Sequence, residues 1–370
     1  MNAASNPLRQ LPQNGQSIWL DFIERKLLRS GELARLVRED GLLGLTSNPA
    51  IFEKAIASGG DYDQSIAELA RRGLDAAAIC EALAVADIRD AADVFAQVHA
   101  AGTGADGYVS LEVSPALAHD TAGTLEEARR LWRAVDRPNL MIKVPGTAAG
   151  VAALRVLIEE GIHVNVTLLF ARAAYEAVAE AWLAGLEARA ARGLPVDRVA
   201  SVASFFVSRI DSAVDARLAG PDTALAGRAA IANARLAYAH FRGLAAGSRF
   251  QALAARGARP QRLLWASTSA KNPAYRDVVY VEELVGPHTV NTLPPATLAA
   301  FRDHGVVRGD TLLEDEAGQR ELLAALGARG IDLGQVTDAL LAEGLAQFSQ
   351  AWERLIAAVE LKRKAAGRPS

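Results

Sequence analysis

Lys143 lies at the centre of an apolar run, NLMIKVPGT at residues 139–147, that is typical of a short buried strand. Burial of an ammonium group is costly because it removes the charge from water, so the neutral amine is favoured there. A neutral lysine amine can attack a carbonyl group and form a Schiff base. The alternative is a lysine at a strand end, whose stem lies on apolar surface while its ammonium group reaches water. Polar residues in neighbouring segments decide between these interpretations.

Polar side chains of suitable chemistry occur late in other strand candidates or just after them. They are Asp21, Thr46, Asn48, Glu112, Asn165, Thr167 and Ser204. Each has a simpler explanation when taken alone, because Asn and Ser often begin turns and acidic side chains are usually solvated. Their joint occurrence with a strand lysine favours a catalytic site.

These residue types suit a reaction that passes through an imine. Lys143 would bind a ketose carbonyl as a Schiff base, which accepts electrons when a nearby carbon–carbon bond breaks. One carboxylate would take the proton from the hydroxyl next to that bond, and the other would manage the water and protons of imine formation. Amides and hydroxyls would hold the sugar's hydroxyl groups. The sequence has no His/Cys/Asp cluster with metal-ligand spacing, so we expect an imine rather than a metal as electron sink, and no cofactor.

Composition narrows the class of protein. The 370 residues carry a net charge of −3, and 51% of them are hydrophobic. This balance gives no electrostatic reason to expect nucleic acid or a membrane as partner, and no apolar run approaches the length of a membrane span. Residues 1–16 are polar and lack the apolar core of a signal peptide. The single cysteine, Cys80, cannot form an internal disulfide, so we expect a cytoplasmic protein.

Eight strand candidates alternate with helical patterns along the chain. They cover residues 17–22, 41–46, 108–114, the lysine run at 139–147, 161–168, 199–207, 262–267 and 288–293. This order predicts an α/β fold, a (β/α)8 TIM barrel in one domain spanning residues 1–370. Extra helices are predicted at about 50–101, 212–257 (interrupted near Gly220-Pro221) and 334–364. A doubly wound sheet is the rival fold, but no Gly-rich turn follows Asp21.

Two local predictions concern which way side chains point and where one helix begins. In the fourth strand, Leu140, Ile142 and Val144 share one face, while Met141 and Lys143 share the other. The corresponding sets are Trp19 and Asp21 in the first strand, Ser110, Glu112 and Ser114 in the third, and His163, Asn165 and Thr167 in the fifth. Leu168 belongs to the apolar set of the fifth strand. We expect apolar sets to face the helices and polar sets to face the barrel axis. For the helix at 121–135, Thr124 and Glu127 are predicted to form a capping box.

Six segments then match the transaldolase family, and the chain resembles its longer bacterial branch. They are SIWLD at 17–21, GLTSNPAIF at 44–52, VSLEV at 109–113, MIKVPGT at 141–147, GIHVNVTL at 161–168 and SFFVSRID at 204–211. The chain departs from the shorter branch at Phe205-Phe206, where that branch has Pro-Phe. After the seventh strand, Lys271 is the nearest cation where that branch has a second phosphate-binding arginine.

The resemblance implies a barrel of the class I aldolase type that acts on sugar phosphates. It would transfer a dihydroxyacetone unit from sedoheptulose 7-phosphate to glyceraldehyde 3-phosphate, giving erythrose 4-phosphate and fructose 6-phosphate in the pentose phosphate pathway. Lys143 would be the Schiff-base lysine and Asp21 the acid/base for bond cleavage, while Glu112 with Thr167 would position the catalytic water. The implied substrate-binding residues are Thr46, Asn48, Asn165 and Ser204, with Arg209 and Lys271 at the phosphate.

Two other functions are compatible with the residues. A fructose 6-phosphate aldolase-type lyase would share the lysine and release free dihydroxyacetone. A barrel that only binds a sugar phosphate would have no need of both a buried lysine and two carboxylates. The oligomeric state stays open, with a homodimer as one option.

Overall fold

Eight parallel strands close into a barrel in chain order in the part of the chain that the computed structural model describes, residues 6–57, 59–218 and 224–366. The strands are β1 (Gln16–Asp21), β2 (Gly44–Thr46), β3 (Tyr108–Glu112), β4 (Leu140–Pro145), β5 (Val164–Leu169), β6 (Ser201–Phe206), β7 (Arg262–Ala266) and β8 (Thr289–Leu293). β8 pairs with β1 and closes the barrel. The predicted (β/α)8 barrel is confirmed, and the doubly wound rival is wrong because the sheet has no open edge.

Helices separate the strands and cover the outside of the barrel. They are α1 (Arg25–Arg29), α2 (Glu32–Asp40), α3 (Pro49–Ala57), α4 (Asp63–Arg71), α5 (Ala76–Ala101), α6 (Thr121–Val135), α7 (Ala148–Glu160), α8 (Arg172–Ala191), α9 (Ser208–Asp215), α10 (Ala229–Ala246), α11 (Ser248–Ala254), α12 (Val279–Glu282), α13 (Pro295–His304), α14 (Glu316–Ala328) and α15 (Leu333–Ala366). Short 3-10 helices lie at Pro7–Gln10, Pro12–Asn14, Pro115–Leu117 and Thr311–Leu313. No helix in these ranges is both long enough and apolar enough to cross a membrane.

The additional helices occur where the sequence predicts them. Residues 50–101 contain all of α3 but its first residue, together with α4 and α5, and residues 212–257 contain the second half of α9 with α10 and α11. The break predicted at Gly220-Pro221 lies outside the described residues. The helix predicted at 334–364 is α15, which packs against α3, α4 and α5. The assignment of residues 1–370 to one domain stays a prediction.

Strand register brings the chemically important residues to one level of the barrel. Glu112 on β3 pairs with Lys143 on β4, and Lys143 pairs with Asn165 on β5. Asp21 on β1 pairs with Thr46 on β2. Four of them lie late in their strands, toward the carboxyl ends where this fold carries its active sites, while Asn165 is the second residue of β5 and reaches the same level through its pairing with Lys143.

The barrel interior depends on close packing between large and small residues. Trp19 is completely buried, and a Cβ atom at Gly44 would come within 2.5 Å of its indole ring. Glycine is therefore the residue that lets β2 lie against Trp19. Burial of each large apolar side chain of this kind stabilises the fold by roughly 1.5–3 kcal/mol.

The predicted capping box at the start of α6 is wrong. Asp120 is the capping residue, and its carboxylate accepts a hydrogen bond from the Gly123 amide. Glu127 instead accepts a hydrogen bond from the Ser114 amide, and the Thr124 hydroxyl donates to the Leu117 carbonyl. Asp120 can form the cap because it directly precedes the first helical residue in extended conformation, whereas Thr124 already lies inside the helix.

The predicted alternation of β5 fails at Leu168. The β5–β6 register shifts between Val166 and Leu169, and Leu168 has a left-handed backbone with φ of 61°. Its side chain approaches α15, where a Cβ atom at Gly344 would lie 3.0 Å from Leu168 Cδ2. Leu168 therefore contacts the C-terminal helix because the bulge ends the regular alternation directly after Thr167.

Candidate active site

Lys143 is buried in β4, two residues before its carboxyl end, with only 5% of its side chain exposed. Its Nζ donates a hydrogen bond of 2.8 Å to the Ser47 carbonyl oxygen. Nζ also lies 3.3 Å from Glu112 Oε2, in an ion pair between two buried side chains. The interpretation of Lys143 as a solvated strand-end lysine is therefore wrong, since its amine lies among polar groups inside the barrel mouth.

The two predicted carboxylates lie on strands that precede the lysine strand, with Glu112 on the adjacent β3 and Asp21 on β1. Burial raises the pKa of Glu112, an effect that Lys143 partly offsets and Asp21 adds to. Burial likewise raises the pKa of Asp21, and Lys143 and Thr46 oppose that rise. Both carboxyl groups thus hold a proton more readily than an exposed one, which suits groups that exchange protons with a substrate.

A chain of hydroxyl groups orients Asp21. The Thr46 hydroxyl donates a 2.8 Å hydrogen bond to Asp21 Oδ1 and lies 2.8 Å from the Thr292 hydroxyl. Because a hydroxyl has one proton, Thr46 can donate to Asp21 only while Thr292 donates to Thr46. Thr46 therefore contacts the acid directly, and Thr292 supports it from β8.

Three residues, on β3, β5 and β6, form a second hydrogen-bonded chain. Asn165 Nδ2 donates to Ser110 Oγ at 3.1 Å, and the Ser204 hydroxyl donates to Asn165 Oδ1 at 2.6 Å. Thr167 Oγ1 is buried and has no hydrogen-bond partner among the described residues. Thr167 also lines the main cavity, so its hydroxyl is available to a water molecule or a substrate.

A cavity of about 410 Å³ opens at this end of the barrel. Eight of the predicted residues line it: Asp21, Thr46, Asn48, Lys143, Thr167, Ser204, Arg209 and Lys271. Asn165 lies behind Ser204, to which it is hydrogen-bonded. Glu112 borders a smaller neighbouring cavity of about 40 Å³ and reaches the main one through its contact with Lys143. Asn48 lines both cavities, while its Oδ1 accepts a hydrogen bond from the Ile51 amide.

Two predicted cations lie in the same cavity. Arg209 Nη1 is buried without a hydrogen-bond partner in the described ranges, and the guanidinium carbon lies 5.8 Å from the Phe206 ring centroid. Burial lowers the pKa of Arg209. Lys271 Nζ donates to Ser269 Oγ at 2.8 Å. The side chain is exposed, and its pKa is lowered by partial desolvation and then by Arg209 and Lys54. Neighbouring cations with an unpaired buried donor are an arrangement that an anion would stabilise.

Several residues of the cavity were not predicted from the sequence. Thr292 lies on β8, and α15 contributes Gln347, Phe348 and Arg354. The amphipathic pattern of α15 predicts a packed helix but not the surface that it covers. In β8, TVNTL, Thr292 shares a face with the apolar Val290, so the strand lacks a polar/apolar alternation that could have identified it. In the three described ranges, no group of three or more His, Cys, Asp or Glu residues could hold a metal ion.

Comparison with known proteins identifies the family of the chain. The family model described as Transaldolase/Fructose-6-phosphate aldolase matches residues 18–359. A transaldolase of Parafrankia sp. is 50% identical over 356 residues, covering 95% of this chain and 96% of the relative. Transaldolase 1 of Streptomyces coelicolor is 50% identical over 361 residues (96% and 95%), and a transaldolase of Thiobacillus denitrificans is 49% identical over 360 residues (96% and 99%). The chain therefore belongs to the transaldolase/fructose-6-phosphate aldolase family.

Proposed function

We propose that this enzyme is a transaldolase. It transfers a dihydroxyacetone unit from sedoheptulose 7-phosphate to glyceraldehyde 3-phosphate and yields erythrose 4-phosphate and fructose 6-phosphate. The observation that carries the proposal is the buried Lys143 amine, paired with Glu112 in a site whose cavity also contains Asp21 and, further along, Arg209. An amine, two carboxylates and a cation are the groups required to hold a ketose phosphate and break its carbon–carbon bond.

Lys143 begins the reaction by attacking the C2 carbonyl of the donor. The carbinolamine loses water and becomes a protonated imine. Glu112 is placed to move protons during this dehydration because its carboxylate lies 3.3 Å from the amine. Thr167 offers its unpaired hydroxyl to the water that leaves and later returns.

Asp21 acts in the cleavage step. Its carboxylate takes the proton from the C4 hydroxyl, the C3–C4 bond breaks, and the electron pair moves into the imine to give an enamine on Lys143. The aldose phosphate leaves, and the acceptor aldehyde takes its place. The enamine carbon then attacks that aldehyde, Asp21 returns the proton, and water releases the new ketose. Thr46 holds Asp21 in position through its 2.8 Å hydrogen bond.

The remaining residues bind the two ends of the substrate. Asn48, Asn165 and Ser204 lie near the lysine and supply amide and hydroxyl groups for the dihydroxyacetone part, together with Thr46. Arg209 and Lys271 bind the phosphate, with the arginine fork able to make two hydrogen bonds to its oxygens. We also propose a cytoplasmic location, which the single buried cysteine supports.

The family name also covers an aldolase that would release free dihydroxyacetone, and one assay separates the two activities. Sedoheptulose 7-phosphate is supplied with and without glyceraldehyde 3-phosphate, and erythrose 4-phosphate is measured by a coupled enzyme. A transaldolase releases at most one equivalent per active site without the acceptor and turns over only when it is added. Steady turnover without an acceptor would instead establish the lyase.

A further inference from the structure

The cavity contains two cations in addition to Lys143, Arg209 and Lys271. Lys54 on α3 and Arg354 on α15 both line it, and neither belongs to the barrel strands or their immediate loops. α3 and α15 pack against one another, so these two helices form one side of the cavity. Arg209, Lys271, Lys54 and Arg354 together supply more positive charge than a single phosphate group needs.

The cations differ in their depth within the cavity. Lys143 is buried at the floor, Arg209 is half-buried, and Lys271, Lys54 and Arg354 are exposed. Exposed lining residues lie nearer the opening than buried ones. Both Arg209 and Lys54 lower the pKa of Lys271, so Lys271 is close enough to each of them to respond to its charge. The positive charges therefore continue from the half-buried Arg209 toward the opening.

A carboxylate on α3 holds Arg354 at its place on the cavity wall. Arg354 Nη2 donates to Glu53 Oε2 at 3.3 Å, and Glu53 directly precedes Lys54. Only 20% of the Glu53 side chain is exposed, whereas 57% of the Arg354 side chain is. An arginine has five N–H donors, so the bond to Glu53 leaves others that can contact a phosphate.

The substrates of the proposed reaction differ in how many carbons separate the phosphate from the carbon bound to Lys143. With C2 bound to Lys143, the phosphate of sedoheptulose 7-phosphate lies one carbon further from the lysine than that of fructose 6-phosphate. The same difference separates erythrose 4-phosphate from glyceraldehyde 3-phosphate. A rigid phosphate site at one depth would fit one pair of substrates and not the other.

We propose that Lys54 and Arg354 form an outer phosphate position that serves the longer substrates, while Arg209 serves both lengths. This inference rests on the proposed transaldolase function. The longer donor and its aldehyde product extend their phosphate toward the opening, where the α3–α15 side supplies charge. The shorter pair reaches Arg209 and Lys271 without contacting Arg354.

The test measures KM and kcat for all four substrates in the wild-type enzyme and in Arg354→Ala and Lys54→Ala. Each substitution should raise KM for sedoheptulose 7-phosphate and erythrose 4-phosphate about tenfold, the effect of one charge-assisted hydrogen bond. KM for fructose 6-phosphate and glyceraldehyde 3-phosphate should change less than about twofold, as should kcat. Arg354→Lys should restore part of the lost affinity for the longer substrates because it restores the positive charge.

Two controls separate this role from general effects. Arg363→Ala removes an arginine of the same helix that pairs with Glu360 on that helix, and should leave all four KM values unchanged. Arg354→Ala alone leaves the Glu53 carboxylate without this partner at the phosphate position. The double variant Glu53→Gln/Arg354→Ala also removes that negative charge, and should show the same rise in KM for the longer substrates. Equal changes for both substrate lengths, or no change, would overturn the inference while leaving an active wild-type transaldolase. A wild-type enzyme without acceptor-dependent turnover would overturn the proposed function as well.

Discussion

Lys143 Nζ lies 3.3 Å from Glu112 Oε2, and only 5% and 8% of the two side chains are exposed. The relationship follows from register, because Glu112 and Lys143 pair directly across β3 and β4. Removal of one member of a buried ion pair leaves the other charge uncompensated, so the pair is coupled in both stability and reactivity. A site of this kind can move a proton between carboxyl group and amine without large motion.

Glu112→Gln should slow both the formation of the imine and its hydrolysis. Glutamine keeps the shape of the side chain but cannot take up or release the proton, so we expect each step to fall by roughly 10²–10⁴-fold. Rapid-quench borohydride trapping with fructose 6-phosphate measures the first step. Glu127→Gln, at a half-buried carboxylate on α6 outside the main cavity, is the matched control. Comparable losses in the two variants would assign Glu112 a structural role.

Asp21→Ala should separate imine formation from cleavage. Lys143 and Glu112 remain in place, so borohydride should still trap the donor on the enzyme. Cleavage should fall by roughly 10²–10⁴-fold because no carboxylate remains to take the proton from the C4 hydroxyl. Release of aldehyde in a single turnover measures that step. Cleavage at close to the wild-type rate would show that another group acts as the base.

Arg209→Ala should mainly raise KM for phosphorylated substrates, since it removes binding that is present in both ground and transition states. The weak turnover of unphosphorylated fructose should change much less. Lys271→Ala should also raise KM for fructose 6-phosphate, and Arg217→Ala, at an exposed arginine just after α9, is the control. Equal harm to fructose and fructose 6-phosphate would mark Arg209 as structural. An unchanged KM in Lys271→Ala would remove that lysine from the phosphate site.

Asp211 should make stability depend on pH. It accepts hydrogen bonds from the Tyr280 hydroxyl and the Ala230 amide, and burial raises its pKa from 3.8 to about 6. Between these values the folded state keeps a proton that the unfolded state has released, so the free energy of unfolding falls as pH rises. Asp211→Asn cannot titrate and lacks this fall. From pH 5 to pH 7.5 the wild type should lose on the order of 1 kcal/mol relative to the variant.

Urea unfolding at the two pH values measures this difference. Asp215→Asn is the control because Asp215 makes a similar pair of hydrogen bonds, from Tyr275 and the Gly227 amide. This variant measures how replacement of a carboxylate by an amide changes the free energy of unfolding at a position with similar hydrogen bonds. A stability difference between wild type and Asp211→Asn that is the same at pH 5 and pH 7.5 would contradict the prediction.

Period-two alternation was enough to predict which face of β1, β3, β4 and β5 carries the candidate site residues. Residues 140–144 place Lys143 opposite the apolar face, and the parallel strands bring Glu112 and Asn165 to its level. This works because a strand has only two faces and the fold gathers all carboxyl ends at one mouth. The alternation stops being informative at Leu168, where a bulge changes the direction of the chain.

Contacts that depend on distant packing could not be predicted in the same way. Thr292 reaches Thr46 only because β8 closes the barrel beside β1, and Arg354 lines the cavity only because α15 packs on α3. The hydrogen bond from Lys143 goes to a backbone carbonyl at Ser47, a group that every residue has. Side-chain chemistry therefore predicts which residues react, while their supporting contacts come from the tertiary structure.

The most direct test is to locate the covalent intermediate. The enzyme is incubated with fructose 6-phosphate, reduced with sodium borohydride, digested and mapped by mass spectrometry. We predict a single modified lysine, Lys143, and neither label nor activity in Lys143→Arg, because the guanidinium stays protonated and cannot attack a carbonyl. Modification of a different lysine, or full activity with no trapped adduct, would contradict the account.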